Sequence, residues 1–301
     1  MNRRKLTAHV ALLTTLSLIG CDTDRLAQFG AFAAAGTAYV AIFQTFTADV
    51  GSAFIAADSA TFVKARTNQD AAHLAENARI LRADLAQDDK TLKAYLSNLQ
   101  KLNAHANLLG AYFAAMTQLT NGKASAAAVT SLNSQLDSIN TFNPEIEKVS
   151  FAGKNVKDFI GLPTQLVVTH YEVKALDKQL KMSAPVIDRA LTLQQAAIEA
   201  LSAELNDSLS ASLQLQESAN VLDPYVTPGP LPSAWIANRE AYIRKEVILE
   251  SADGAVAAIK SLHTAFTQLA TDKSSTINFG KLYSDIGTMA GYAAAAQASH
   301  K

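Results

Sequence analysis

Residues 92–120 read LKAYLSNLQKLNAHANLLGAYFAAMTQLT, and one face of this stretch decides the fold. Followed back to residue 74, the positions Leu74, Ala78, Leu81, Leu85, Asp88, Leu92, Tyr95, Leu99, Leu102, Ala106, Leu109, Phe113, Met116 and Thr120 alternate spacings of four and three. A period of 3.5 held over that length keeps one face of a helix against a partner and implies a left-handed supercoil. The spacing predicts a helix over 68–120, roughly 80 Å long at about 1.5 Å per residue, with Leu74, Leu81, Leu85, Leu92, Leu99, Leu102, Leu109 and Phe113 as its structural seam. Asp88 interrupts that seam beside Asp89 and Lys90. A solvated, register-setting position is the plain reading, and a buried functional acid is the sharper one.

Working outward, no Gly or Pro occurs from Ser52 to Leu109, so one break near residues 66–70 separates the seam helix from an earlier one over 23–65. Downstream, Asn121-Gly122 stops the seam helix, and a short Ala-rich helix is expected over about 124–140, ending before Asn143-Pro144. Another is expected near 151–160, closing at Gly161, and one from Pro163 to about Met182. Pro185 restarts or kinks the chain, and the apolar face continues to Leu222. Four of the chain's 7 prolines fall within 223–233, a connector between antiparallel helices rather than a PxxP recognition segment. Ser233 suits the cap of a helix running to about Ala270, and Ser274 or Ser275 the cap of a last one to about Ser299. The expected fold is all-α: an elongated antiparallel helical bundle with long coiled-coil-like helices, one domain over 21–301.

The first twenty residues read differently. Asn2-Arg3-Arg4-Lys5 is a basic n-region, Leu6 to Leu16 an apolar stretch too short to span a bilayer comfortably, and Leu18-Ile19-Gly20-Cys21 ends it. That quartet resembles the lipobox of bacterial lipoproteins. The resemblance implies a signal peptide over 1–20, cleavage after Gly20, lipidation of Cys21 through its sulfur, and acylation (palmitate) of the new amine. It places the chain in a bacterial cell envelope, lipid-anchored on the periplasmic face of the inner or outer membrane or on the outer cell surface. Asp22 resembles an inner-membrane retention signal whose rule differs between bacterial groups.

Charge and motifs narrow the function. Of 26 basic residues the processing removes three, and of 27 acidic residues none, so the mature chain carries a net charge of −4. Such a surface offers no footprint for nucleic acid and no basic patch for anionic lipid, leaving acyl chains to attach the protein to a membrane. With 1 Cys there is no disulfide framework, CxxC redox pair or thiolate zinc site. GxSxG, GxxxxGK[ST], GxGxxG and HExxH are missing, so neither an enzyme nor a cofactor is expected, although a hydrolase on a helical scaffold stays formally open. Asp70, His73 and Glu76 share a helical face, but no second Glu-x-x-His helix exists to complete a bundle metal site, and they read as a solvated first-turn cluster.

The stretch from Leu26 to Ala48 holds no charged residue and carries Phe29, Phe32, Tyr39, Phe43 and Phe46. Gln28, Thr37, Gln44, Thr45 and Thr47 dilute its hydrophobicity, which favours a central bundle helix over a membrane-inserting helix or an oligomer interface. Gly287 and Gly291 form a GxxxG best explained by close packing of soluble helices. These features lead to the expectation of a non-catalytic binding, adaptor or spacer lipoprotein with an envelope protein partner. The alternative is a membrane-active protein resembling alpha-type pore formers that inserts residues 26–48.

Overall fold

A computed structural model describes residues 21–67, 77–120, 126–160, 174–271 and 277–298. Among them the helices are α1 (Cys21–Thr67), α2 (Ala78–Thr120), α3 (Ala126–Glu147), α4 (Lys174–Glu217), the short α5 (Asp223–Val226), α6 (Trp235–Thr271) and α7 (Gly280–Ala298). The architecture is an all-α antiparallel bundle, elongated because α1 alone is 47 residues, about 70 Å. Leu74 and the Asp70, His73, Glu76 cluster lie outside the described residues.

α1 and α2 form the first antiparallel pair. Phe54 meets Tyr95 with ring centroids 4.7 Å apart, Thr47 Oγ1 bonds Asn103 Oδ1 at 2.8 Å, and Gly36 faces Phe113. A Cβ on Gly36 would stand 2.5 Å from the Phe113 ring, so this crossing is closed by the absence of a side chain. α3 runs back along α2, and α4 also opposes α2: His105 meets Gln194, and seven residues on Tyr112 meets Ser183.

Two expectations fail in the middle of the chain. α3 does not end before Asn143-Pro144 but passes through Pro144 to Glu147. Pro144 removes one N–H from the ladder, yet Asn143 (4% exposed) and Ile146 (0%) are core residues on either side, and their burial outweighs that loss. The helix expected at 151–160 is instead a small hairpin, β1 (Ser150–Phe151) against β2 (Lys154–Asn155), followed by a 3-10 turn, Val156–Phe159. Ala152 (φ 46) and Gly153 (φ 85) occupy the left-handed region at the tip, the conformation that joins two strands by a two-residue type I′ turn. Phe151 and Val156, both 0% exposed, dock the hairpin on the bundle.

α4 runs continuously through Pro185 and passes through a π-turn, Ser218–Leu222, directly into α5. The connector expected over 223–233 therefore begins helical, and irregular chain is confined to about 227–234. α6 returns antiparallel to α4, with Lys260 Nζ 2.9 Å from Glu199 and Lys245 Nζ 2.6 Å from Gln216 Oε1. α7 starts at Gly280, whose N–H bonds Asn278 Oδ1 at 2.8 Å; the caps expected at Ser274 or Ser275 lie outside the described residues.

α1 is the central helix. Phe32 contacts Phe266 of α6 at a centroid distance of 5.7 Å, and the Tyr283 hydroxyl of α7 donates to Ala31 O at 3.3 Å. Phe29, Phe32, Tyr39, Phe43 and Phe46 are 0–2% exposed. At roughly 1.5–3 kcal/mol for each large apolar side chain removed from water, this stripe contributes on the order of 10 kcal/mol.

Candidate functional site

The end of the bundle at Cys21 is built tightly. α1 is helical from Cys21, the first described residue, and Arg25 bonds across the bundle, its guanidinium donating to Leu269 O at 3.3 Å and to Gln28 Oε1 at 3.2 Å. Phe29, eight positions after Cys21, is the first fully buried aromatic side chain among the described residues.

The seam of α2 divides into two parts. Leu99, Leu102, Leu109 and Phe113 are buried at 0–4% exposure, and Leu81 and Leu92 are half-buried. Leu85 is 46% exposed, which corrects its expected place in a closed interface. Asp88 is exposed, so the buried-acid reading fails. Asp58 of α1 lies near it, its carboxyl raised above the usual range by partial burial and by the charges of Asp88 and Asp89.

The most elaborate polar arrangement is internal and joins four helices. His105 is fully buried. Its Nδ1 lies 2.8 Å from Gln194 Oε1 and its Nε2 3.0 Å from Asn143 Oδ1, while its ring stacks on Phe142. Two acceptor oxygens around one imidazole would demand a protonated ring, yet burial lowers the His105 pKa, against the opposing pull of Gln194 and Asn143. The Gln194 amide nitrogen and the Tyr39 hydroxyl lack partners, although Tyr39 and Gln194 are neighbours. Turning the Gln194 amide over removes all three difficulties: Tyr39 donates to its oxygen, its nitrogen donates to Nδ1, and a neutral His105 donates from Nε2 to Asn143. The network then fixes the register of α1, α2, α3 and α4, and it holds no nucleophile.

A second cluster ties the hairpin to α4. Lys154 Nζ lies 2.9 Å from Glu204 and 2.7 Å from Asp207, and Ser208 also donates to Glu204. Burial works to raise the Glu204 carboxyl, but the hydrogen bonds from Ser208 and Lys154, the nearby Tyr95 hydroxyl and the Lys154 charge outweigh it and hold the pKa below the usual value. This is a clamp on the hairpin. His263 bonds Asp188 at 2.9 Å across α4 and α6. Among the described residues no group of three or more His, Cys, Asp or Glu side chains is arranged to hold a metal. A groove of about 690 Å³ between α2 and α3 is broad and open, lined by Leu108, Thr130, Asn133, Asp137 and Phe142.

Gly287 and Gly291 do not mediate packing: a Cβ on either would meet nothing within 4 Å. The α6 and α7 crossing is closed at Gly254 instead, where a Cβ would stand 3.3 Å from Tyr292. Sequence reading missed Gln194, Asn143 and Glu204, because each acquires its role from residues distant in the chain. His105 was visible, since it lies on the buried face of α2 next to Ala106. A scan against protein-family models and searches of curated proteins and of solved structures returned no match to this chain.

Proposed function

We propose that the chain is a lipid-anchored envelope protein of a bacterium, held to a membrane through acylated Cys21 and serving as a non-catalytic adaptor or spacer for an envelope protein partner. The reading is carried by the junction at Cys21: a basic and apolar leader ends in Leu-Ile-Gly-Cys, and after that cysteine only Asp22, Thr23, Asp24 and Arg25, already helical, precede the uncharged run of α1. Two or more acyl chains hold a protein stably where one is marginal, and a bundle rooted this close would stand on the lipid surface, with its reach supplied by helix length. Replacement Cys21→Ser is expected to leave an unprocessed precursor that incorporates no labelled palmitate in cells. Unchanged mobility and labelling in that variant would overturn the reading.

The competing reading, a membrane-active protein that inserts residues 26–48, draws on one observation: α1 is long and apolar enough to cross a bilayer over Arg25–Val63. Against it stands the aromatic stripe, whose members are already in the core, so insertion would expose the surfaces that α2, α6 and α7 bury. Release of dye from loaded liposomes by the purified protein is the outcome that would favour insertion.

A further inference from the structure

The polar network at the centre of the bundle has two hydrogen-bonded arrangements, and one proton decides between them. In the arrangement described above, a neutral His105 donates from Nε2 to Asn143 Oδ1, the Gln194 amide nitrogen donates to Nδ1, and the Tyr39 hydroxyl donates to the Gln194 oxygen. A proton on Nδ1 turns that nitrogen from acceptor into donor, so it can no longer face the amide nitrogen. With the Gln194 oxygen turned toward the ring, Nδ1–H donates to it across 2.8 Å. The amide nitrogen then points at Tyr39, whose oxygen accepts from it. The Tyr39 hydroxyl hydrogen is left without an acceptor at a site 0% exposed.

We propose that Tyr39, Gln194 and His105 form a proton-operated switch, in which a proton taken up on α2 turns over an amide on α4 and withdraws the hydroxyl bond that α1 makes to it. The surroundings leave the ring alone with this choice. No charged residue occurs over 26–48 of α1, 102–120 of α2, 138–144 of α3 or 190–198 of α4. The titratable groups within those stretches are His105, Tyr39 and Tyr112, and the Tyr112 hydroxyl is occupied by Ser183 Oγ at 3.3 Å. Charges at the borders are engaged with one another: Glu147 with Arg189 at 2.7 Å, Asp188 with His263 at 2.9 Å and Glu199 with Lys260 at 2.9 Å. No carboxylate therefore stands ready to hold an imidazolium, and burial keeps the His105 pKa below its ordinary value. The neutral arrangement holds at neutral pH and the other takes over in acid. The Nε2–H bond to Asn143 and the stacking on Phe142 survive the change, so its effect falls on the tie between α1 and α4 rather than on α3.

The chain holds 6 His and 8 Tyr, few enough for their magnetic resonance signals to be assigned by single substitutions. In the full chain with isotope-labelled histidine and tyrosine, spectra at neutral pH should show the His105 proton on Nε2 and none on Nδ1. As the pH is lowered, Nδ1 should gain a proton, and the shift of the Tyr39 ring carbon that bears the hydroxyl should move with the same midpoint. In His105→Gln that step in the Tyr39 signal should vanish. Tyr39→Phe removes the hydroxyl whose bond favours the neutral arrangement, so the His105 midpoint should rise by roughly half to one pH unit. A tyrosine that only fills space would leave the midpoint in place, and that result would overturn the proposal. So would a Tyr39 signal that ignores the His105 titration, a proton on Nδ1 at neutral pH, or unfolding of the whole chain before His105 titrates.

Discussion

The two ends of α1 are built from similar residues and have opposite fates. Between Phe29 and Phe54 its aromatic side chains are at most 8% exposed, whereas Ile55, the next residue, is 45% and Val63, nine residues on, 66% exposed. Phe62 stays half-buried. The lower part is enclosed by α2 and by the α6 and α7 contacts at Phe266 and Tyr283. The upper part runs beside α2 where Asp58, Asp88 and Asp89 gather. Apolar character alone does not bury a helical residue; the stripe that faces the core is dry and the rest of the helix stays in water.

The sharpest way to break this contrast is a charge. Phe43→Asp should abolish cooperative unfolding altogether, because an unpaired carboxylate in a dry core costs more than about 5 kcal/mol. Circular dichroism and denaturant melts check this, and a stable variant would mean that α1 leaves the core readily. Shortening a side chain should have a smaller effect. Leu102→Ala, at a site 0% exposed, is expected to lower stability by about 2–5 kcal/mol, while Leu85→Ala, on the open part of the same seam, should cost less than about 1 kcal/mol. Equal losses at the two positions would show that the seam closes along its whole length.

The third effect depends on pH. Native His105 is held neutral by burial, with its pKa lowered, while the unfolded chain binds its proton near the ordinary value of about 6.5. As pH falls below that value the unfolded state takes up a proton that the native state refuses. Stability should therefore be full at neutral pH and decline by up to about 1.4 kcal/mol per pH unit below pH 6.5, until the native pKa is reached. Melts at pH 7.5 and 5.5 should show the decline in the wild type and a shallower one in His105→Gln; matching slopes would remove His105 as the cause. Smallest of all, Val63→Ser should change stability by less than about 0.5 kcal/mol in the same melts.

These contrasts also mark what could be read from the chain. Periodicity revealed α2 because apolar residues every 3.5 positions need no knowledge of the partner, and the aromatic stripe from Phe29 to Phe46 was legible as a core helix because its run carries no charge yet is too diluted by polar residues to favour a bilayer. Periodicity said nothing about where the seam stops being covered, since Leu85 and Leu99 occupy equivalent positions two heptads apart, yet one is 46% and the other 4% exposed. The hairpin at 150–155 was invisible: its two-residue strands are too short to alternate, and Ala152-Gly153 is not the Asn-Gly pair that signals a type I′ turn. Pro144 misled because helix interiors normally reject proline, and only the contact of Asn143 with His105 reveals why the chain stays helical. The His105 network itself spans separations of 38 and 89 residues, beyond the reach of any local pattern.

The place of α1 in the middle of the bundle also constrains the order of events as the protein is made. Arg25 finds its acceptor on Leu269 across 244 residues, and the Tyr283 hydroxyl reaches Ala31 across 252. The first of the described helices is thus sealed by the last two, and until they arrive the surfaces of its phenylalanines that face them lack their native cover. Closing such long loops slows folding through the entropy of bringing distant segments together. A chain ending before α6 would leave part of the α1 aromatic stripe exposed, the kind of transient apolar surface that promotes aggregation.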